Sequence, residues 1–530
     1  MNDTYAAWKK HLSNTPDGRQ LDLMTPEQVG DAFSGNIVFG TGGLRGIMGL
    51  GVNRINRYTI ERVTHGLVKT ILSQDNPRSV CVSYDTRENS EEYAHLVCEL
   101  LSAYGIDAHI FGKPMPTPVL SFAIRFLKLG WGVAITASHN PQEYNGYKVY
   151  DSKGVQLTDQ MAIEVTNAIE TVGFFKPVPE GLRLPIGVIS PMLEASYSDY
   201  IVSYAKRNSL SNSFSMVYSA LHGAGANVIP AVLEDIGFSP ILTQQNPDSS
   251  FGGLKTPNPE EPDVYADAIS VAERTGAKLL CATDPDCDRV GVMVKTERGF
   301  RLLNGNQIGA LLIDFLAQTR GISPGDTVVT TVVSGFLGEL VAISYGLEFK
   351  RLLTGFKYIG EYAERLPENK RFFFGYEESY GFLAGDGVRD KDAVIATALI
   401  AQMADMYDQK GMTLLDRWEE LSLQHGFCLE ELRSAVATTE RQKKIMDRLR
   451  GGTIIDGLVR IEDYLPGVDG LPPSDLIKLY FDDGGWAAIR PSGTEPKIKL
   501  YTGAFARDHD TAKNRLLKLT DMLTVMFGIL

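Results

Sequence analysis

The sequence predicts an α/β protein of three successive strand-and-helix blocks followed by a smaller α+β domain, and three observations predict it. Short β-rich apolar runs alternate with longer segments whose apolar residues recur near every 3.6 positions, the pattern of strands joined by crossover helices. The runs stop abruptly at a polar residue or glycine, as parallel strands buried on both faces do. The chain has 530 residues, 44% hydrophobic and 22% charged. That is enough for three or four domains of roughly 150 residues and too apolar for disorder.

The first block, about 1–190, contains the runs SVCVSYD (79–85) and WGVAITAS (131–138). Between them, the segment after Asn89 (SEEYAHLVCELLSAYG) has helical spacing and ends in glycine, as a capped helix should. The second block, about 191–305, opens with the helical LEASYSDYIVSYAKR and contains the strand-like AKLLCATD (277–284). The third, about 306–425, opens with IGALLIDFLAQTRG and contains DTVVTTVV (326–333). The remainder, 426–530, has a charged helical stretch at 439–450, scattered strands and a terminal helix from about Asp508 to Phe527.

Composition excludes several classes. No apolar stretch approaches the roughly 18 residues a bilayer helix needs, and the start, MNDTYAAWKKHLSN, lacks the apolar core of a secretory signal, so the expected location is the cytoplasm. Cysteines 81, 98, 281, 287 and 428 form no CxxC pair and read as buried or incidental thiols of a reducing compartment. The formal charge of −13 argues against a general nucleic-acid surface, which needs clustered Lys and Arg. It leaves room for a small phosphorylated substrate held by a few basic residues.

Four loops carry candidate chemistry, the first three each directly after a predicted strand, where α/β sheets place their sites. The first is TASHNP (136–141), continuing QEYNGYK. Ser138 is a weak nucleophile unless a base, metal or cation assists it, and His139, Asn140 and Lys148 follow closely; a plain Asn-Pro turn is the competing reading. The second is DPDCDR (284–289). Asp284, Asp286 and Asp288 alternate on an extended loop and can converge on one cation. Oxygen ligands without His favour Mg²⁺, and the glycine and distal glutamate of a calcium loop are absent. Arg289 adds a cation that a metal-bound phosphate could use. The third is GYEESYGF (375–382), after the strand-like RFFF, where Glu377, Glu378 and Ser379 suit polyol hydroxyls or simply face solvent. The fourth is RPSGTEPKIK (490–499). Arg490, Ser492, Gly493 and Thr494 offer a guanidinium, two hydroxyls and backbone N–H groups for an anion, and Lys497 and Lys499 alternate beyond them.

Together, and in this order, the four loops resemble those of the α-D-phosphohexomutase family of phosphoglucomutases and phosphomannomutases. The resemblance runs from FGTGGLRG (39–46) and YDTR (84–87) to RPSGTEP. It implies three similar α/β domains with mixed sheets and a smaller C-terminal domain around a central cleft. It implies that Ser138 carries a phosphoryl group, that Asp284, Asp286 and Asp288 hold one Mg²⁺ per chain with the Ser138 phosphoserine, and that Glu377 and Ser379 contact the sugar. Arg490, Ser492, Gly493, Thr494 and Lys499 match the loop that holds the non-reacting phosphate. Arg45, Lys148 and Arg289 match basic residues about the phosphoserine, with Lys148 and His139 the candidates for proton transfer. TGFK (354–357) places Lys357 near substrate, and GDGVRDKD (385–392) offers Arg389 and Lys391.

The implied reaction interconverts glucose 1-phosphate and glucose 6-phosphate, with glucose 1,6-bisphosphate as intermediate and activator, in a cytoplasmic monomer or homodimer without nucleic-acid or membrane partners. One departure bears on the sugar. Tyr376 stands where the third motif commonly has glycine, which resembles a subgroup of bacterial phosphoglucomutases and phosphopentomutase-like members. Mannose and pentose phosphates are therefore the alternative substrates. A non-catalytic phosphosugar binder would have lost Ser138 or an aspartate, and this chain keeps all of them.

Overall fold

The structure, a computed structural model, describes residues 3–40, 42–181, 183–205, 214–491 and 497–529. It divides into two compact units. One comprises Met1–Leu302, Gly360–Arg365 and Leu383–Gln402; the other Leu303–Ile359, Leu366–Phe382 and Met403–Leu530.

The first unit holds two α/β sheets. In the first, strands run in the order Gly43–Ile47, Tyr144–Tyr150, Trp131–Ile135, Ser79–Tyr84, Asp107–Ile110 and Gly187–Val188. The central strands Trp131–Ile135 and Ser79–Tyr84 are parallel, and Tyr144–Tyr150 returns antiparallel to both Trp131–Ile135 and Gly43–Ile47. Val80, Val82, Val133 and Ile135 are fully buried, as their uninterrupted apolar runs require. The helix Ser90–Ala103 follows at its predicted place, with Gly105 left-handed just beyond it. The helix Arg57–Ser73 is started by a capping box in which Asn56 and Thr59 each bond the other's backbone N–H.

The second sheet places Val290–Thr296, Leu279–Thr283, Met216–Ser219 and Ile241–Thr243 in order, the first pair antiparallel and the rest parallel. The helix Pro191–Ala205 precedes it. The chain begins with three short helices that the strand pattern did not separate, Asp3–His11, Pro16–Asp22 and Pro26–Ala32. They pack around a buried Trp8 ringed by Phe33, Tyr58, Phe174 and Phe175.

In the second unit, Asp326–Thr331 lies parallel to both Glu348–Leu352 and Arg371–Tyr376, and Gly305–Arg320 forms the predicted helix behind an Asn304 capping box. The C-terminal sheet is antiparallel, in the order Phe427–Val436, Lys497–Ala506, Trp486–Pro491, Ile477–Phe481 and Leu458–Asp463. The helices Thr439–Arg450 and His509–Phe527 cover one face of it through Met446, Leu449, Leu523 and Phe527. Three α/β sheets and an antiparallel C-terminal sheet are the predicted fold class. All five cysteines are buried and unpaired. No helix among the described residues is long and apolar enough to cross a membrane.

Candidate active site

Ser138 lies three residues beyond the strand Trp131–Ile135, with φ of 54°. A non-glycine residue is rarely left-handed, and the strain persists only where surroundings over-determine it. Here the surroundings are Arg87. Its guanidinium donates to the carbonyls of Ser138 (2.5 Å), Asn140 (2.6 Å), Pro141 (2.7 Å) and Tyr144 (3.0 Å). Asp85, fully buried beside it, accepts from Arg87 Nε at 3.1 Å. Thr136 joins the two, donating to Asp85 at 2.7 Å and accepting from Ser138 N–H at 2.8 Å. The Phe251 ring packs against the guanidinium, 4.9 Å away.

The second loop turns between the antiparallel strands Leu279–Thr283 and Val290–Thr296. Cys287, left-handed with φ of 53°, closes the turn by donating its N–H to Asp284 C=O. Its thiol is buried against Thr283, which leaves the three aspartates to converge, with one carboxylate oxygen of each within 4.8 Å of the other two. Asp284 Oδ1 is occupied by the N–H groups of Asp288 and Arg289, and Asp284 Oδ2 accepts from Ser138 Oγ at 2.7 Å. Thr117 donates to Asp286 Oδ2 at 3.0 Å.

The donor set fits a hard divalent cation. Asp286 Oδ1 and Asp288 Oδ1 are buried and accept no hydrogen bond among the described residues, a costly state that a coordinated cation relieves. Burial, and then Asp288 and Asp286, push the Asp284 carboxyl well above the usual range, crowding that a positive ion offsets.

Cationic side chains lie against these aspartates and beside Ser138. Lys148 Nζ donates to Asp286 at 2.7 Å and Asp288 at 3.2 Å, and Lys391 lies 3.0 Å from Asp288. Burial pulls Lys148 down, but the two aspartates outweigh it and keep it protonated. Asp288 is buried too, yet Lys391, Lys148 and Arg289 hold it far below the usual carboxylate range. Arg45 donates to Asn140 Oδ1 at 2.6 Å, and Arg289 to Glu260 at 2.7 Å. His139 Nδ1 stands 3.2 Å from Ser138 Oγ. Burial, then Arg289 and Arg45, hold its imidazole well below the ordinary histidine range and so neutral. Arg389 instead spends its guanidinium on Glu364 (2.9 Å) and the carbonyls of Asp386 and Val388, acting as a strut of its own loop.

In the second unit, Glu377 Oε1 accepts the N–H of Gly355, joining the third loop to the TGFK segment, and Lys357 is buried with Nζ 4.8 Å from the Tyr358 ring. Glu378 Oε2 accepts from the hydroxyls of Thr331 (2.9 Å) and Ser334 (3.3 Å). Ser379 lies in the turn that follows Tyr376. Arg490 and Lys499 are direct cross-strand partners, so both point to one face of the C-terminal sheet. Ser492, Gly493 and Thr494 fall outside the described residues.

Motif reading missed Arg87, Asp85, Thr136, Thr117 and Phe251. The YDTR signature contained the first two, but nothing local shows that Arg87 grips a loop 51 residues away.

The chain matches four family models in succession. These are the alpha/beta/alpha domains I, II and III of phosphoglucomutase/phosphomannomutase, over residues 36–176, 195–299 and 304–421, and the C-terminal domain over 431–514. It is 35% identical to a phosphoglucomutase of Staphylococcus haemolyticus over 93% of this chain and 95% of that protein. The crystal structure of a phosphoglucomutase/phosphomannomutase family protein from Burkholderia thailandensis shares the fold, with a TM-score of 0.72 at 18% identity over 92% of this chain and 97% of that one. So does N-acetylphosphoglucosamine mutase of Aspergillus fumigatus in complex with GlcNAc-6P and magnesium, with a TM-score of 0.53 at 15% identity over 98% of each chain.

Proposed function

We propose, for a chain that belongs to the phosphoglucomutase/phosphomannomutase family, a reversible interconversion of glucose 1-phosphate and glucose 6-phosphate run on a phosphoserine at Ser138. The chain is a phosphomutase, an isomerase. Phosphorylated Ser138 gives its phosphoryl group to the 6-hydroxyl of glucose 1-phosphate: the P–Oγ bond breaks, a P–O6 bond forms, and the hydroxyl proton passes to a base. The product, glucose 1,6-bisphosphate, turns over and returns its 1-phosphate to Ser138, releasing glucose 6-phosphate.

Asp284, Asp286 and Asp288, with an oxygen of the phosphoserine, would hold one Mg²⁺, which supplies charge neutralisation for the transferring group. Around it the chain's own residues divide the work. Arg45 and Arg289 offset charge on the phosphoryl oxygens. Lys148 and the neutral His139 are the candidates for exchanging the hydroxyl proton. Lys391 counters the Asp288 charge. Glu377 and Ser379 accept and donate to sugar hydroxyls with Lys357 beside them, and Arg490 and Lys499, with Ser492, Gly493 and Thr494 between them in sequence, bind the phosphate that does not react. Arg389 serves them through its loop.

One observation carries this reading. A left-handed serine aims its Oγ at a carboxylate triad in which two buried oxygens accept no hydrogen bond. Ser138→Ala is expected to abolish both mutase turnover and incorporation of phosphate by intact mass; wild-type activity in that variant would sink the assignment. A panel of glucose, mannose, ribose and deoxyribose 1-phosphates decides the sugar, and the highest kcat/KM is expected for glucose.

A further inference from the structure

The loop 331–335 takes no part in this mechanism, yet it is pinned from every side. Arg351 donates to the carbonyls of Thr331 (3.2 Å), Ser334 (2.7 Å) and Gly335 (3.1 Å), and Lys478 Nζ to that of Val332 (2.6 Å). The N–H groups of Val332 and Gly335 go to Leu352 C=O and Asn306 Oδ1. A Cβ at Gly335 would lie 2.1 Å from Glu430 Oε1, so a larger residue there would have to push the Glu430 carboxylate aside. From this seat the Thr331 and Ser334 hydroxyls reach Glu378.

Lys478 is the anomalous member. It lies on the strand Ile477–Phe481 of the C-terminal sheet and is 1% exposed. Among the described residues it makes no ion pair, and its ammonium stands 4.7 Å from the Trp486 ring, 5.4 Å from Tyr480 and 5.5 Å from Phe336. The charged groups that face it are Arg351, Glu462, Glu339 and Arg460. Stability alone does not explain a buried cation without a carboxylate, since methionine would fill the same box at no electrostatic cost. What methionine cannot do is donate to Val332. Lys478 also pairs in register with Ala488, on the strand that carries Arg490. It thereby ties the strands of the phosphate-binding residues to the loop that holds Glu378.

We propose that Lys478 is a positioning residue for substrate recognition: through the Val332 carbonyl it fixes the loop 331–335, whose hydroxyls anchor Glu378 and so set the sugar-contacting Glu377 and Ser379. Glu378 is then an anchor and not a sugar ligand. The proposal rests on the phosphomutase reading above.

The test is a double-mutant cycle between Lys478→Met and Thr331→Val in the full-length enzyme, reading kcat and KM for glucose 1-phosphate, with Thr331→Ser as the conservative control. Each single variant is expected to raise KM about tenfold, the size of one lost hydrogen bond. Saturating kcat should hold within about twofold, and the double variant should do no more than the worse single one. Thr331→Ser should restore the wild-type KM. An unchanged KM in Lys478→Met, or two effects that multiply in the double variant, overturns the proposal. If Lys478→Met does not fold, Lys478→Gln replaces it; if neither folds, Lys478 is a purely structural residue and the proposal falls as well. A wild-type chain inactive on every sugar phosphate would instead sink the function itself, and the same assay reports it.

Discussion

Two loops of this protein are held by the same device and put to different use. In the first unit, Arg87 grips four carbonyls of the segment 138–144; in the second, Arg351 and Lys478 grip four carbonyls of 331–335. Both loops leave the end of a parallel strand. Ser138, however, is forced left-handed, and its Oγ faces carboxylates with unsatisfied oxygens. No residue of 331–335 has positive φ, and its hydroxyls are spent on Glu378. Pinning carbonyls fixes a backbone. Whether the loop then reacts or merely supports depends on what its side chains are left to face.

The largest effect should come from taking away what the first loop faces. Chelation is expected to abolish turnover and added Mg²⁺ to restore it, because three buried carboxylates within 4.8 Å then repel one another and the phosphoryl group. Full activity after exhaustive chelation, checked by elemental analysis, would break the contrast at its root.

Next come the pins themselves. Arg87→Lys keeps a charge beside Asp85 but cannot reach four carbonyls at once. It should lower kcat about 100-fold, the usual consequence of a reacting atom displaced by about 1 Å, with KM little changed. Arg351→Lys should do the opposite, raising KM about tenfold at nearly constant kcat. Steady-state kinetics separate the two, and if both variants lose kcat equally the loops are not functionally distinct.

Much of this was readable in advance, and what was not has a physical pattern. The aspartates alternate in one hexapeptide, which brings them close in sequence, but the loop is not extended as expected: a turn closed at the left-handed Cys287 draws their carboxylates together. The strand ahead of the first loop is an uninterrupted apolar run, WGVAI, and the strand ahead of the second, DTVVTT, is dominated by β-branched residues. Arg87, Thr117 and Lys478 act on partners 51, 169 and 146 residues away, and no local pattern encodes a contact made only after sheets have packed. Arg389 shows the converse. A cation in a polar loop looks the same in sequence whether it awaits a phosphate or braces its own carbonyls, as this one does.

The two pins also differ in electrostatic cost. Arg87 brings a buried carboxylate partner, and Lys478 does not. Burial, with Arg351 adding to it, pulls Lys478 down to about 7 from the ordinary 10.5. The folded chain therefore binds fewer protons than the unfolded chain between about pH 7 and 10.5, and stability rises with pH across that window. The penalty is complete below pH 7. Lys478→Met should accordingly be more stable than wild type, by on the order of 4 kcal/mol at pH 6, with the gap narrowing by pH 9.5 in chemical denaturation. A gap that does not depend on pH would mean the aromatic box and the Val332 carbonyl hold the ammonium without cost.

The smallest effect tests whether the reactive loop depends on neighbours that carry no charge. Thr117 opens the helix Thr117–Leu127 and meets Asp286 twice, through its N–H at 2.8 Å to the carbonyl and its hydroxyl at 3.0 Å to Oδ2. Lys148 donates to the same Oδ2, so the hydroxyl is one of two donors that turn the carboxylate and leave Oδ1 without a hydrogen bond. Thr117→Val keeps the shape and removes only this donor. One neutral-donor bond to a carboxylate is worth about 1.5 kcal/mol, so the apparent affinity for Mg²⁺ should fall roughly tenfold or less, while KM for the sugar phosphate stays put. Activity titrated against Mg²⁺ measures it. An unchanged metal dependence would show that Lys148 alone orients Asp286, and that the chemistry of the first loop is set entirely by its charges.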